Sequence, residues 1–390
     1  MSKLQNPNAV DFNTKDPEVL QLLRSIARNG SIDSADVPVR TLQTAIARLS
    51  ESPFEKTINW HLLDNLDQSK VECLEEEWAF DLSSIQPHKV LENMNLVGFD
   101  GSSMVLVDNQ HACVYARGGS FGFSQRKVHR LSFLSGVNRF WCDIAINVEA
   151  SRGVVQDDEE RQKSLDKLAD DSNYPYYDRV TLAEVEALAL VEAASIILCC
   201  NDYKDNVDLV LHDGPLIVSR GGLNASIQRL RHMQMLKIPS INVVKNPTAS
   251  PVLRAAGIPD STDGAFFDRL EPGHRSTFFL QLSEARDLNI PRPLTRALAY
   301  FKSLNGNFLF RWEVPLWVLQ HFGTEKVSKW IAADSFMDKS GVGSCISRAD
   351  SFVRIRSNLR LLMRETQRIQ LQEKKLGFGQ NFNQVRWPWS

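Results

Sequence analysis

Apolar residues at helical spacing open the chain. Val19, Leu20, Leu22, Leu23, Ile26 and Ala27 recur with a helical period, and Asn29-Gly30 closes the run as helices commonly close. A second set, Leu42, Ala45, Ile46 and Leu49, is broken by Ser50-Glu51-Ser52-Pro53. Residues 1–90 are therefore expected to be mostly helical. They carry no pattern of reactive side chains, which suits a structural or docking role.

The texture changes at residue 95. Asn95-Leu96-Val97-Gly98-Phe99 reads as a strand leading into Asp100-Gly101-Ser102-Ser103, and residues 104–107 form a short apolar strand. Asp108-Asn109-Gln110 is a turn, after which the pattern resumes at 111–116, so a hairpin is predicted. A third strand is expected at 140–148, followed by a charged, exposed segment at 156–171. Residues 181–200 are apolar on nearly every face, which predicts a buried helix. Residues 207–211 (VDLVL) form a near-continuous apolar strand of the kind found in a covered sheet, and they run into His212-Asp213-Gly214-Pro215. A helix at 223–236 and a strand at 240–245 complete the segment. Three strands, then helix, strand, helix, strand, is the order of ribonuclease-H-like domains: an antiparallel sheet extended by two strand–helix units.

Beyond residue 250 the pattern predicts strands at 278–282 and 308–314, and helices at 297–304, 315–322 and 351–370. The last would align Arg354, Arg356, Arg360, Arg364 and Arg368 along one helix edge. The tail at 378–390 reads as irregular. The expected divisions are a mostly helical region over 1–90, an α/β domain with C-terminal helical additions over 91–370, and a tail over 371–390.

Composition narrows the function classes. With 43% hydrophobic and 24% charged residues among 390, the chain can bury a core, and wholesale disorder is excluded. Lys plus Arg is 45 against 47 for Asp plus Glu, a net charge of −2, which excludes a uniformly basic nucleic-acid coat and leaves room for local patches. The six cysteines form no C-x-x-C pair and no disulfide framework, so a zinc ribbon has no support and Cys199-Cys200 reads as a pair of buried thiols. No stretch reaches the roughly 18 apolar residues that span a bilayer, and the N-terminus lacks the apolar core of a secretory signal. A soluble, cytoplasmic protein with no membrane partner is expected.

The candidate chemistry lies in the carboxylates. Asp100 begins D-G-S and Asp213 begins D-G-P-L, each at the end of a predicted core strand. Asp-Gly alone is a common turn; two of them on one sheet are a candidate site, because glycine lets a metal or phosphate approach closely. A phosphoryl-transfer site needs a further acid, since hard divalent cations take oxygen ligands. The helix between the aspartates offers Glu184, Glu186 and Glu192 as its acids. Arg220-Gly221-Gly222, before a helix start, is a candidate anion contact, with a plain loop as the alternative. Arg117-Gly118-Gly119 has the same composition. His212 alternates to the strand face opposite Asp213 and is expected to be structural.

Taken in order, D-G-S after an early strand, an acid-bearing helix, V-L-H-D-G-P-L and S-I-N-V-V-K resemble the NurA family of DNA nucleases. On that resemblance Asp100 and Asp213 are two acids of the site, and Glu186 in Glu186-Ala187-Leu188 is the helix acid, with Glu184 as the alternative. Lys245 matches the lysine closing the Val-Lys strand. Phe310-Arg311-Trp312-Glu313-Val314-Pro315 and the stretch from Gly341 to Ile355 resemble later motifs, so the likeness covers about residues 95–360. Pro215 stands where the family usually has serine. Asp350, an oxygen donor, stands where many members have histidine, and the Tyr-Pro pair before it is missing.

The resemblance implies a nuclease with two Mn²⁺ or Mg²⁺ ions, having single-strand endonuclease and 5′-to-3′ exonuclease activity in DNA end processing or repair. It also implies a homodimer and a HerA-type hexameric ATPase partner. Lys245, Arg220 and Arg117 would contact DNA. Two other readings stay open: a catalytically impaired adaptor of a DNA translocase, suggested by the altered last motif, and a ribonuclease-H-like enzyme acting on RNA.

Overall fold

A computed structural model describes residues 58–355, apart from 108–110, 127–129, 139, 150–175, 220, 246, 248–250, 259–261, 307 and 339–340. The expected helices around 19–27 and 39–49, the charged segment at 156–171, Arg220, the arginine series beyond 355 and the tail lie outside the described residues. The chain divides after Thr57, and every described residue belongs to the second unit.

The described strands are β1 (Val71–Cys73), β2 (Ala79–Asp81), β3 (Asn95–Val107), β4 (His111–Ser124), β5 (Trp141–Glu149), β6 (Leu209–Asp213), β7 (Ser240–Val244), β8 (His274–Ser276), β9 (Phe279–Gln281), β10 (Arg296–Lys302) and β11 (Leu309–Pro315). The described helices of seven residues or more are α1 (Arg130–Val137), α2 (Tyr176–Asp202), α3 (Leu223–Leu236), α4 (Leu316–Phe322), α5 (Thr324–Phe336) and α6 (Ser344–Val353).

All the strands join one mixed sheet, in the order β1-β9-β10-β11-β7-β6-β3-β4-β5, with β8 linking β2 to β10. Within it, β5-β4-β3-β6-β7 is the ribonuclease-H-like set the pattern predicts. β3, β4 and β5 are antiparallel, and β6 and β7 continue from β3 in parallel. β6 and β7 are buried at each of their first four residues, as apolar runs covered on both faces must be. The sheet then continues antiparallel from β7 into β11 and β10.

Helix α2 covers one face of β3–β5, burying Ala187, Val191, Ser195, Ile196 and Cys199. Its small residues let its backbone come close to the strands. Helix α6 covers part of the opposite face. It packs so close to β3 that a Cβ on Gly98 would collide with the Cys345 backbone. The strand that carries Asp100 is thus covered by α2 on one face and by α6 on the other.

Four expectations change. D-G-S does not follow a strand; it lies inside β3, which runs unbroken for 13 residues. The helix expected at 297–304 is the strand β10. Ala297, Leu298 and Ala299 favour a helix locally, yet all three are fully buried between strands, and tertiary pairing with β11 overrides that preference. Residues 58–90 are not mostly helical: β1 pairs with β9, β2 pairs with β8, and Leu63 and Val71 enter a core with Phe267, Phe279 and Tyr300. Helix α6 ends at Val353 with Arg354 extended (φ −54°, ψ 121°), so no helix runs on from 351 through Arg354.

Candidate active site

Parallel pairing sets the site. Phe99 lies beside His212, so Asp100 and Asp213 stand one residue further along neighbouring strands. Asp213 lies beside Val243, and Lys245 follows just beyond the end of β7. Lys245 Nζ donates to Asp213 Oδ2 in a short ion pair. Asp100 is buried, and its Oδ1 accepts the N–H of Gly101 at 2.7 Å.

Helix α2 delivers the third acid. A Cβ on Gly101 would stand 2.5 Å from Glu192 Oε1 and from Leu188 Cδ1, so the glycine of D-G-S is the space through which Glu192 reaches the strand. Glu192 Oε2 is 3.2 Å from His212 Nε2, a close polar contact without hydrogen-bond alignment. On the other side of the ring, His212 Nδ1 lies 2.6 Å from both Arg229 Nη1 and Asn242 Nδ2. Both neighbours are N–H donors, which leaves Nδ1 the acceptor and places the ring proton on Nε2, facing Glu192.

The same residues hold the D-G-P-L loop. Asn242 Nδ2 donates to the carbonyls of Gly214 and Pro215 at 3.1 Å each, and Arg229 Nη2 donates to Leu216 O at 2.7 Å. The N–H of Leu216 donates to Glu313 Oε2 at 2.7 Å, and Glu313 is fully buried between Arg296 and Arg311. Gly214 itself has φ +92°, a left-handed turn that a side chain would strain. Arg229, Asn242 and Glu313 thus fix the loop that aims Asp213.

Electrostatically the site is short of positive charge. Burial, then repulsion from Asp213 and Glu192, pushes Asp100 up to about 8 against the pull of Lys245. Burial raises Asp213 as well, with Lys245 opposing. Burial works against the charge on Lys245, yet attraction from Asp213, Asp100 and Asp350 carries it above the ordinary lysine range. Asp350, on α6, is paired through Oδ2 with Arg354 Nη2 at 2.6 Å. Among the described residues, no group of three or more His, Cys, Asp or Glu side chains stands at metal-ligand spacing. The donor types nonetheless suit a hard divalent cation: Asp100 and Asp213 stand side by side on neighbouring strands, the charge of Glu192 acts on both, and Lys245 is paired with Asp213.

The NurA domain family matches residues 95–355, more than half of the chain. The chain belongs to the NurA family. That membership supports a nuclease. Its solved structural neighbours are distant. The NurA nuclease from Sulfolobus solfataricus is 11% identical, with 95% of this chain and 99% of that one covered and a TM-score of 0.46. A NurA bound to dAMP and manganese is 9% identical, with 83% and 94% covered and a TM-score of 0.37. Endonuclease V from Streptomyces avermitilis is 12% identical, with 78% and 90% covered and a TM-score of 0.29. No curated protein sequence matches the chain.

The NurA motifs are distributed unevenly over the site. Asp100, Asp213 and Lys245 meet, and the charge of Asp350 reaches Lys245. The helix acid named from the motif, Glu186, is half-buried near Gly221, where an added Cβ would stand 3.5 Å from its own Cβ. Glu184 Oε1 accepts the Ser103 hydroxyl at 2.7 Å. Of the helix acids it is Glu192 whose charge acts on both aspartates, from beside Gly101 and His212. Glu313, from the later Arg-Trp-Glu motif, supports the Asp213 loop and does not face the acids. Arg117 projects from β4 opposite Ser102 of β3. His212 and Asn242 stand inside V-L-H-D-G-P-L and S-I-N-V-V-K, motifs that show no functional role for them, and Arg229 stands in no motif.

Proposed function

We propose that the chain is a metal-dependent deoxyribonuclease that hydrolyses phosphodiester bonds at DNA ends and in single strands. The observation that carries this reading is Asp100 and Asp213 side by side on neighbouring strands, with Lys245 paired to Asp213 and the charge of Glu192 acting on both acids, in a member of the NurA family. Those three carboxylates would hold one or two Mn²⁺ or Mg²⁺ ions, with Asp350 as a further oxygen donor at the edge. A bound divalent ion supplies Lewis acidity, lowering the pKa of an attacking water and offsetting charge on the phosphoryl oxygens. Lys245, loosened from Asp213 as the acids take up other positive charge, is placed to bind a non-bridging phosphate oxygen. His212 orients Glu192 through Nε2 while Arg229 and Asn242 hold its other face. Glu186 and Glu184, named from the motif, are second choices for the helix ligand.

The same reading covers partners. Single-strand endonuclease and 5′-to-3′ exonuclease activities, a homodimer, a HerA-type ATPase that feeds DNA and a cytoplasmic location belong to this proposal. A net charge of −2 supports the need for a feeding partner, because it gives the chain little bulk attraction for DNA. The test is cleavage of labelled single-stranded DNA, duplex DNA and RNA with and without Mn²⁺, by wild type and by Asp213→Asn. Metal-dependent cleavage of DNA that the variant lacks is expected. Cleavage that persists in chelator or in the variant contradicts the reading. Cleavage of RNA alone selects the ribonuclease alternative, and no cleavage of any substrate selects the adaptor.

A further inference from the structure

The open face of β3–β5 carries a second cluster beside the acids. Asp100 pairs across the sheet with Gly119, and Gly119 pairs with Trp141. Directly opposed residues of antiparallel strands project to the same face. Trp141 therefore stands on the Asp100 side of the sheet, two strands away, or roughly 10 Å at ordinary strand spacing. Gly119 adds no side chain between them, and a Cβ there would stand 3.1 Å from the Phe352 ring. Trp141 and Phe352 remain 38% and 43% exposed.

The next row across the sheet braces the tryptophan. Ser102 pairs with Arg117, and Arg117 with Asp143. The Arg117 guanidinium lies over the Trp141 ring, 4.8 Å from its centroid, and its Nη2 donates to the Tyr115 hydroxyl at 2.8 Å. The Tyr115 hydroxyl donates in turn to Asp143 at 3.0 Å. Arg117 Nε is buried and without a partner. Arg348 lies over Phe121 at 5.2 Å on the same side, and Arg354 follows one turn beyond Asp350. Asp100 and Asp213 on this face belong to the site, and Asp143 and Asp350 are each already engaged, so the area around Trp141 presents aromatic rings edged by arginines.

That combination recognises a flat π-system attached to an anionic backbone. We infer that Trp141, braced by Arg117 and flanked by Phe352, is a stacking platform for unpaired nucleotide bases of the strand whose phosphate lies at Asp100, Glu192 and Asp213. The inference rests on the nuclease reading and adds a base-stacking subsite to it. A base inside a duplex is already stacked on both faces and has no free face for an indole, so the platform favours single-stranded segments. Its distance from Asp100 lets one strand engage both.

The experiment compares binding of labelled oligothymidylate with an abasic oligomer of equal length, by fluorescence anisotropy, with Ca²⁺ replacing Mn²⁺. Wild type should bind the thymidine oligomer more tightly. Trp141→Ala should weaken that binding by roughly five- to a hundredfold and erase the difference, and Trp141→Phe should recover part of it. Phe352→Ala, at an exposed helix end, gives a second and independent variant with the same direction. In Mn²⁺ the loss should appear in KM more than in kcat. Wild type that shows no preference for bases, or Trp141→Ala that binds like wild type, overturns the inference. So does a dimer-to-monomer change in Trp141→Ala with unaltered affinity per chain, which would assign the face to a second copy. A protein that stacks bases through Trp141 but never cleaves DNA would sink the nuclease reading and leave the platform standing.

Discussion

Buried carboxylates without enough countercharge are costly, and the site sets the buried Asp100 beside Asp213. Asp100 pays most visibly: burial and its acidic neighbours lift it to about 8. Asp100→Asn removes that repulsion, so its metal-free melting temperature should equal or exceed wild type while Mn²⁺-dependent cleavage falls on the order of 10³-fold. A large drop in melting temperature, measured by calorimetry, would instead mark Asp100 as a structural residue. His212 acts through Glu192. His212→Gln should lower kcat by roughly 10–100-fold with the protein still folded, the usual cost of losing a group that orients a ligand. Asp100 and Asp213 were legible in the sequence because Asp-Gly broke two apolar strand patterns. Glu192 was not. Helix α2 is apolar around most of its surface, so nothing in the pattern shows which side faces the sheet. Glu186 and Glu192 are six residues apart, which on a helix is roughly 9 Å along the axis and about 120° around it. A motif match of a few residues does not resolve that difference.

At the scale of elements, the strands that build the site declared themselves and those on the far side did not. β6 and β7 are short, largely apolar and bounded by polar turns, and their order was readable. β10 was hidden because Ala-Leu-Ala prefers a helix when neighbours are ignored, and β1 and β2 are three residues each, too short to show a period. Helix α6 depends on a contact no local pattern contains. Asp334 of α5 accepts the N–H of Cys345 at 3.3 Å, in the first turn of α6. Burial raises Asp334 to about 7 against that hydrogen bond. Below about pH 4 the acid is protonated in both folded and unfolded chains. Between about pH 4 and 7 the folded chain keeps a proton the unfolded chain releases, so this group's contribution to stability falls as pH rises, by roughly 4 kcal/mol in all. Asp334→Asn should therefore gain stability relative to wild type from pH 4 to 7 in denaturant titrations. A constant difference across that range would show that Asp334 is ionised throughout.

For the whole molecule, the ribonuclease-H-like order and its place in the chain were legible, and the N-terminal boundary was not. Leu63, Val71, β1 and β2 are part of the sheet and its core, so a division at residue 90 cuts through packed structure. Removal of residues 1–57 should leave a cooperatively folding protein, and removal of 1–90 should not; circular dichroism melts of the two truncations decide it. If the shorter truncation still cleaves short single strands but does not bind the proposed ATPase, or does not form a dimer that the full chain forms, the N-terminal segment is the docking element. The central claim is that β3, β6 and α2 bring Asp100, Asp213 and Glu192 to one metal-binding point. The most direct measurement is the Mn²⁺-dependent cleavage rate of a single-stranded oligonucleotide by Glu192→Gln beside Glu186→Gln. The geometry predicts a loss on the order of 10³-fold for Glu192→Gln and a rate close to wild type for Glu186→Gln. An active Glu192→Gln with a silent Glu186→Gln would contradict it.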